Sequence, residues 1–586
     1  MAIMFDPMLS NPAFNFHLPW EHPMEPYPRE INHNTAEQLE LAESRCSAPS
    51  AYEALIQPTI HPTRNLFPRL AKSHSCNPNL LKGQRRIAKD IIRNGPLMSL
   101  DQLQAFDTLN TQVEAINNNS DFRSKYGFID FNRVAFLNEI PVVITMLVMY
   151  NVGSPLISLL SPICGALLAY IVLLVKGNQV SFSNFVGVLS ERFRWLLDIN
   201  KLFDSSYSLY NRIKVVLTAG LYCFSIYANI RSCRNFIRNY AIIGTTLQAL
   251  TTTTHAISSC ILRLSKLASS THTPQLKAYW EWIGLATAPA RQIVSQIEHY
   301  LPLSARNPTS IPLALRLFYQ LKHSPHMHIS LNWLIGIGGL CEVYQGIARG
   351  WKNKELGVCL TTTSYENAFV RDLRHPTLGN QCVTNTLELR RSAVLTGRNG
   401  SGKTTLAKSL AIAAIIGHQF GLAPCAKAQL PPLSTIRCEM NVPDTNERDS
   451  LFEAEGRRCL ELMNKLKAEP NGFHLCVFDE LFSGTNADEA LEAAVGVLNN
   501  MVTNGRTRFM VTTHMHALGP RLGEELTQSL TMGVDVDGNP THAAEPGVAD
   551  SSGAHDTLVR IGFTPEQLVR GSSGPPPSQQ PPTIRS

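Results

Sequence analysis

A glycine-rich loop between a strand and a helix is the feature that most constrains the fold of this chain. Residues 397–404 read Gly-Arg-Asn-Gly-Ser-Gly-Lys-Thr. The apolar segment 391–396 is typical of a short buried strand, and the residues from Thr404 onward are typical of a helix. Glycines let backbone N–H groups face one anion without a Cβ in the way, and a helix N-terminus favours the same anion. The loop therefore predicts a nucleoside triphosphate site in an α/β domain.

The residue types in the loop predict separate roles. Lys403 can reach the β- and γ-phosphates, and the Thr404 hydroxyl can hold Mg²⁺. ATP and Mg²⁺ are therefore the expected ligands. The predicted nucleotide-binding residues are Gly397, Arg398, Asn399, Gly400, Ser401, Gly402, Lys403, Thr404 and Thr405.

Tandem acids follow a second apolar strand. Residues 474–478 are strand-forming and lead into Asp479 and Glu480. A carboxylate at such a strand end can bind Mg²⁺, which assigns Asp479 to the metal together with Thr404. Glu480 is then placed to polarise the attacking water, and we predict that it is catalytic.

Two further residues are candidates on position alone. Residues 507–513 predict a third strand, which places His514 in the crevice where open α/β sheets bind ligands. We expect His514 to contact the γ-phosphate or its attacking water. Ser450 precedes a helical run with capping-box spacing to Glu453, and the local sequence alone favours a simple N-cap.

Together these segments resemble the ATPase domain of the MutS family of DNA mismatch repair proteins. The matching stretches are Arg-His-Pro at 374–376, the loop at 395–404, Ser-Leu-Phe-x-x-Glu at 450–455, Phe-Asp-Glu-Leu-Phe-Ser-Gly-Thr-Asn at 478–486 and Thr-Thr-His-Met-His at 512–516. The resemblance covers about residues 330–570. It implies a P-loop NTPase of the ABC type that works as a dimer, with each site completed by its partner. Ser450 would then act in trans on the partner's γ-phosphate.

Some residues depart from that family's pattern. Arg398 stands where a proline is usual, and Gly400 with Ser401 resembles the loop of ABC transporters. No Leu-Ser-Gly-Gly-Gln run precedes Asp479, however, and residues 484–486 fit MutS better. The mismatch-reading N-terminal domain of the family has no counterpart in this sequence. An ABC-type transporter-like ATPase is therefore an alternative, but a less favoured one.

A long apolar run sets the N-terminal half apart. Residues 140–175 contain no charged side chain, which is long enough for a membrane span of roughly 20 residues. We expect a transmembrane hairpin of two short helices, or one span over 156–175 with an interfacial segment before it; a buried pair of core helices is the alternative. Residues 215–230 form a shorter uncharged run that fits a membrane-contacting helix or a core helix equally well.

The sequence is thus divided into six regions. These are a disordered Pro/His/Asn-rich region 1–75, a helical region 76–139, one or more transmembrane segments in 140–175, a helical lever or core-like region 176–350, the MutS-like ATPase domain 351–570 and a disordered tail 571–586.

Composition limits the binding partners that the chain can have and the cellular compartment in which it can work. Charged residues make up 17% of the chain, below the roughly 25% usual for soluble domains, which fits a partly membrane-embedded protein. A net charge of +6 is compatible with binding to nucleic acid or to an acidic lipid surface, but it does not indicate which of them is bound. The 13 cysteines show no metal-ligand spacing, which predicts reduced thiols and no zinc. We expect a membrane-associated protein, not secreted, with its ATPase domain in cytoplasm or nucleus.

Three functions remain open at this point. The first is an ATP-dependent DNA-binding protein of mismatch repair or recombination, working as a homodimer on mismatched or branched DNA. The second is a membrane-anchored mechano-ATPase without mismatch recognition. The third is a nucleotide-gated scaffold without turnover.

Overall fold

A computed structural model describes residues 16–23, 28–176, 181–197, 208–270, 273–301, 310–440, 451–503, 505–536, 539–549 and 562. Its α-helices are α1 His33–Gln38, α2 Ala51–Ile56, α3 His61–Leu70, α4 Pro78–Asn94, α5 Leu100–Asn117, α6 Phe122–Tyr126, α7 Pro141–Val175, α8 Phe182–Leu197, α9 Leu209–Ser270, α10 Pro274–Ala286, α11 Ala288–Ile297, α12 Ile311–His323, α13 Pro325–Lys352, α14 Lys403–Phe420, α15 Leu451–Ala468, α16 Ala487–Val502 and α17 Leu518–Leu522. Its strands are β1 Pro28–Glu30, β2 Ser73–Ser75, β3 Gly357–Thr361, β4 Phe369–Leu373, β5 Asn385–Glu388, β6 Ser392–Thr396, β7 Leu422–Ala423, β8 Lys427–Leu430, β9 Leu433–Glu439, β10 Phe473–Asp479, β11 Thr507–Thr512, β12 Thr527–Val534 and β13 Pro540–Pro546.

The larger sheet positions the site. Its strand order is β13-β12-β6-β11-β10-β9. All neighbours pair in parallel except the edge pair β12 and β13, which is antiparallel. Every residue of β6 is buried, as expected of a parallel strand covered on both faces. The three strands predicted from the sequence are confirmed, and they are spatial neighbours in the order β6-β11-β10.

A second, smaller sheet lies beside the first. It is mixed, with strand order β5-β4-β8-β3-β7. Glycine is required where β3 begins, because a Cβ at Gly357 would lie 2.0 Å from the Ala426 carbonyl oxygen. The α14 helix leaves the glycine-rich loop and ends at Gly421, which has a left-handed φ of 67°. This sheet and α14 together join the nucleotide region to the helical half of the chain.

The N-terminal region is ordered where the structure describes it, so the prediction of disorder over 1–75 is wrong for residues 16–23 and 28–75. The Trp20 indole N–H donates to the Ser73 hydroxyl at 3.1 Å, and both side chains are buried. The Tyr52 hydroxyl donates to the side-chain oxygen of Gln419 in α14 at 3.0 Å. These contacts join residues 53 and 367 positions apart, and local composition does not reveal them. The predicted tail 571–586 lies outside the described residues.

The helical region shares one hydrophobic core with the nucleotide domain. A buried carboxylate joins two of its helices. Glu342 in α13 accepts hydrogen bonds from the Thr59 N–H at 2.8 Å and from the Thr63 hydroxyl at 2.5 Å. Both donors lie at the N-terminus of α3, where the helix dipole favours a negative charge. Glu342 therefore fixes α3 against α13.

The apolar run forms one helix, so the prediction of two short helices within 140–175 is wrong. Helix α7 is continuous for 35 residues, through Pro155 and Pro162. Its neighbour is the N-terminal half of α9, which runs antiparallel to it. The Tyr222 hydroxyl donates to the Leu159 carbonyl at 2.7 Å, and the Cys233 thiol lies 3.6 Å from the Val152 carbonyl.

Two segments of these helices are long and apolar enough to cross a membrane by length and composition alone. They are Pro141–Leu160 and Arg212–Ser270.

Candidate nucleotide site

The loop between β6 and α14 has the backbone that its glycines allow. Gly397, Gly400 and Gly402 have φ values of 149°, 76° and 98°. Residues that have a side chain rarely adopt these backbone φ values, so glycine supplies the turn without strain. Gly402 is the N-cap of α14, and no side chain caps that helix end. The first N–H groups of α14 are therefore available to an anion, which fits a phosphate group.

The ammonium of Lys403 lies inside the loop. It donates to the Gly397 carbonyl at 2.9 Å and to the Arg398 carbonyl at 3.1 Å. An ammonium has three donors, so one remains beyond these two carbonyls. Burial lowers the pKa of Lys403, while the carboxylates of Glu480 and Asp479 counteract part of this shift. The loop thus holds the desolvated amino group of Lys403 beside the candidate phosphate site.

The metal-ligating residues predicted from the sequence come together. The Thr404 hydroxyl donates to the two carboxylate oxygens of Asp479 at 3.2 and 3.0 Å. Asp479 also accepts a hydrogen bond from the Thr512 hydroxyl at the end of β11. A hydroxyl beside a carboxylate is an oxygen donor set of the kind that Mg²⁺ prefers. These residues therefore fit a magnesium ion next to the loop.

The predicted catalytic pair is also adjacent. The His514 Nε2 atom lies 3.2 Å from the Glu480 carboxylate and 3.5 Å from the Lys403 ammonium. Burial and then the Lys403 charge lower the pKa of His514, against an opposing effect of Glu480. Glu480 itself has a left-handed φ of 54°, which is strained for a side chain other than glycine. This backbone turns the second acid of the pair out of the strand direction and toward His514.

Two histidines that the sequence assigned no role line the same cleft. The His542 Nδ1 atom in β13 lies 2.9 Å from the Ser401 carbonyl, within hydrogen-bond distance. His375 lies in the stretch that follows β4, and burial lowers its pKa to about 4. Both line a cavity of about 470 Å³ with Asn399, Thr404 and Glu480. The pattern of apolar residues in the sequence does not indicate His542, because this residue reaches the loop only through the pairing of β13 with β12 at the edge of the sheet.

Comparison with known proteins agrees with this geometry. The family model for MutS domain V matches residues 393–553, which contain the loop, both acids and His514. The chain is 27% identical over 193 residues to the mitochondrial DNA mismatch repair protein MSH1 of Arabidopsis thaliana, covering 32% of this chain and 17% of that protein. It is 28% identical over 216 residues to the DNA mismatch repair protein MutS of Syntrophomonas wolfei, covering 34% and 24%. It is 29% identical over 205 residues to the endonuclease MutS2 of Streptococcus agalactiae serotype Ia, covering 33% and 25%.

Over residues 393–553, the chain is similar to MutS domain V. The similarity concerns that region alone, and the chain spans only a sixth to a quarter of the length of these curated relatives. The helical half that surrounds α14 lies largely outside the matched residues.

Ser450, the remaining candidate of the MutS-type region, lies outside the described residues. The helix α15 that follows it begins at Leu451 and contacts the loop after Glu480. A Cβ at Gly484 would lie 2.8 Å from the Phe452 backbone nitrogen, and the rings of Phe452 and Phe482 are 5.3 Å apart. The start of α15 is therefore packed against the segment that carries the acids.

Proposed function

We propose that this chain binds and hydrolyses ATP at the carboxyl edge of the larger sheet, as a P-loop NTPase of the ABC type. One observation carries the proposal. Lys403 and Thr404 from the loop, Asp479 and Glu480 after β10, and His514 after β11 converge at the crevice where open α/β sheets bind ligands.

The roles follow from the chemistry of each group. The loop N–H groups and Lys403 would hold the phosphates, and Thr404 with Asp479 would hold Mg²⁺. When bound, Mg²⁺ would offset the negative charge that develops on the phosphate oxygens. Glu480 would accept a hydrogen bond from the attacking water and orient it. His514, largely neutral because its pKa is lowered, would donate or accept a hydrogen bond at the γ-phosphate.

A homodimer would complete the site. The Gly484 contact joins the N-terminus of α15 to the segment that follows the two acids. Ser450 of one protomer would contact the γ-phosphate held by its partner. ATP would then tighten the dimer, and hydrolysis would release it.

Steady-state ATP hydrolysis by full-length protein in nonionic detergent tests the proposal. Glu480→Gln should retain ATP binding and lose hydrolysis by roughly 10²-fold or more. Lys403→Ala should lose ATP affinity. The matched control is Glu525→Gln, an exposed acid outside the site, which should hydrolyse at the wild-type rate. Normal turnover by Glu480→Gln, or unchanged affinity in Lys403→Ala, would contradict these assignments.

DNA is the proposed partner of the ATPase cycle. Support comes from the relatives, two of which are named DNA mismatch repair proteins and one an endonuclease. Binding to homoduplex, mismatched and branched DNA, measured with and without ATP at two salt concentrations, tests this. Selective binding that ATP modulates would support a repair or recombination role. Weak attraction that salt abolishes, equal for all three DNAs, would contradict it.

A membrane-anchored ATPase without mismatch recognition is the second candidate. The exposed apolar surface of α7 and α9 favours it, since soluble monomers rarely expose large contiguous apolar patches. It predicts turnover of ATP together with no preference for mismatched DNA. The nucleotide-gated scaffold predicts ATP-dependent dimers without turnover, so the hydrolysis measurement separates it from both.

A further inference from the structure

The antiparallel pair formed by α7 and the first half of α9, here called the α7/α9 pair, has an inverted distribution of polar and apolar side chains. In α9 the less exposed positions recur at alternating spacings of four and three residues. They are Val215, Ala219, Tyr222, Ile226, Asn229, Cys233, Phe236 and Tyr240. The facing side of α7 carries Asn151, with Ser154 and Ser158 buried. The seam between the helices therefore contains small and polar residues alongside apolar ones such as Val215 and Phe236.

The outer surface of the pair is apolar on both helices. On α9, Leu221 and Phe224 are 61% and 66% exposed, and on α7, Leu156 and Leu168 are 61% and 63% exposed. A hairpin in water would place these residues inside and the serines outside. Small and polar residues at the helix contact, with apolar residues outside, are the arrangement of helices packed in lipid.

Several polar side chains on the pair donate hydrogen bonds to its own backbone. The Thr218 hydroxyl, on an exposed position of α9, donates back to the Lys214 carbonyl at 2.8 Å. The Ser158 hydroxyl donates to the Pro155 carbonyl at 2.9 Å, and the Asn229 amide donates to the Ser225 carbonyl at 2.9 Å. Such back-bonding removes the need for water at these positions.

The dimensions fit a bilayer. Residues 153–175 of α7 would extend about 34 Å at the helical rise, against a hydrocarbon thickness of about 30 Å. The uncharged part of α9, residues 215–230, is about 24 Å long. Lys214 and Arg231 bound it, and long basic side chains can reach the interface from such positions.

A basic collar marks the end of the pair nearest the body. Arg231, Arg234 and Arg238 follow one another on α9 just where its apolar outer surface ends, and all three are exposed. Among the residues that the structure describes, none of the three makes an ion pair. Arg231 and Arg238 line a groove of about 770 Å³ with Lys125 and Asn151. A plane of positive charge at this level is complementary to anionic headgroups.

We propose that the α7/α9 pair is a two-helix hairpin that crosses a lipid bilayer, with the collar of Arg231, Arg234 and Arg238 at the anionic headgroups on the ATPase side. The chain leaves the body along α7 and returns along α9. Helix α8 would then lie at the opposite face. Helix α8 packs against this far end, with the rings of Tyr170 and Phe185 4.7 Å apart. The proposal does not depend on the nucleotide site.

Two native cysteines allow a direct test. Cys223 is exposed at the middle of the uncharged part of α9, and Cys46 is exposed on the body. Full-length protein, with Cys164, Cys233 and Cys382 replaced by serine, is labelled with a nitroxide and reconstituted in vesicles of phosphatidylcholine and phosphatidylserine; Cys46→Ser and Cys223→Ser in that background isolate each signal. At Cys223 we expect access to oxygen and at least about tenfold lower access to a water-soluble nickel chelate than at Cys46.

The other outcomes overturn the proposal. Equal access of the nickel chelate to both labels would mean that the pair is in water. Exclusion of oxygen and nickel alike from Cys223 would mean that protein covers it, as in a dimer through this surface.

A charge-insertion variant gives a second measurement that does not require labelling. Leu221→Asp should reduce flotation with the same vesicles by at least about tenfold, because an acid at mid-span is costly in lipid. Leu100→Asp, at a residue 58% exposed on the body, is the matched control and should float normally. Replacement of the three collar arginines by glutamine should lower the preference for anionic over neutral vesicles. Normal flotation of Leu221→Asp would contradict the hairpin.

Discussion

Helices α14 and α7 are both built largely from apolar residues, yet they lie in opposite surroundings. From Leu406 to Phe420, α14 packs against β9, β10 and β11 on one side and against α4 and β2 on the other. Helix α7 packs along one side, near Ile144 and Val148, and most of its other apolar side chains that the structure describes are exposed. Apolar content alone therefore does not distinguish a core helix from one with an apolar outer surface. The exposure of the apolar side chains in the folded chain does.

A buried charge should produce the largest difference between the two helices. Ile412 in α14 is fully buried, so Ile412→Asp should cost more than about 4 kcal/mol and prevent folding. Leu168→Asp in α7 should leave the thermal unfolding of the body unchanged in detergent, since Leu168 contacts little protein. Differential scanning fluorimetry of both variants measures this. Equal destabilisation would show that α7 belongs to the core.

Truncation of one side chain to alanine in each helix gives a second comparison of α14 with α7. Ile415→Ala removes a fully buried side chain and should lower the free energy of unfolding by about 2–5 kcal/mol. Leu156→Ala should change it by less than about 0.5 kcal/mol, because that side chain is exposed. Denaturant unfolding followed by tryptophan fluorescence provides the values. A cost at Leu156 near that at Ile415 would place Leu156 in a protein contact.

Glycines test how tightly the nucleotide edge is packed. Gly484→Ala would bring a Cβ to 2.8 Å from the Phe452 backbone nitrogen, so we expect a loss of about 1–3 kcal/mol and slower ATP hydrolysis. Gly496→Ala in α16 meets no atom within 4 Å and should instead stabilise the protein by about 0.5–1 kcal/mol. Opposite signs in chemical denaturation support the contact between α15 and the acid-bearing segment. A stabilised Gly484→Ala variant would exclude it.

The smallest effect concerns pH at the cleft. Burial lowers the pKa of His375 to about 4, below its value in the unfolded chain. Between these pKa values the unfolded state binds more protons, so His375 contributes stability above pH 6.5 that is lost as pH falls toward 4. Between pH 7 and pH 5 the wild type should lose about 1–2 kcal/mol more than His375→Asn. The same loss in both proteins would mean that His375 is not desolvated.

The nucleotide edge could be predicted from the sequence because its information is local. Residues 391–404 specify a strand, a turn and a helix start, and the acids of 479–480 end another strand. Because the carboxyl ends of parallel strands lie at the same edge of a sheet, the sheet brings these residues together. The packing of the Phe452 segment against Gly484 could not be foreseen in this way, because it depends on how two loops meet.

The helical half could not be predicted to the same depth because its contacts are distant in sequence. Trp20 and Tyr52 lie in a region without periodic apolar residues and are buried by partners near positions 73 and 419. The sequence shows that residues 140–175 are apolar, but this segment folds as one helix that packs against α9. It does not fold back on itself as a hairpin. The hydrogen bond between Tyr222 and Leu159 joins them across more than 60 residues. His542 similarly reaches Ser401 only through the edge pair of strands.

ATP-dependent dimerisation of Glu480→Gln decides whether two protomers share the nucleotide site. Analytical ultracentrifugation of the full-length variant in detergent, with Lys403→Ala as the control, reports the assembly state. The account predicts a stable dimer of Glu480→Gln with ATP and Mg²⁺, a monomer without nucleotide, and no ATP-dependent change in Lys403→Ala. A Glu480→Gln protein whose assembly is the same with and without ATP would contradict a composite nucleotide site between two protomers.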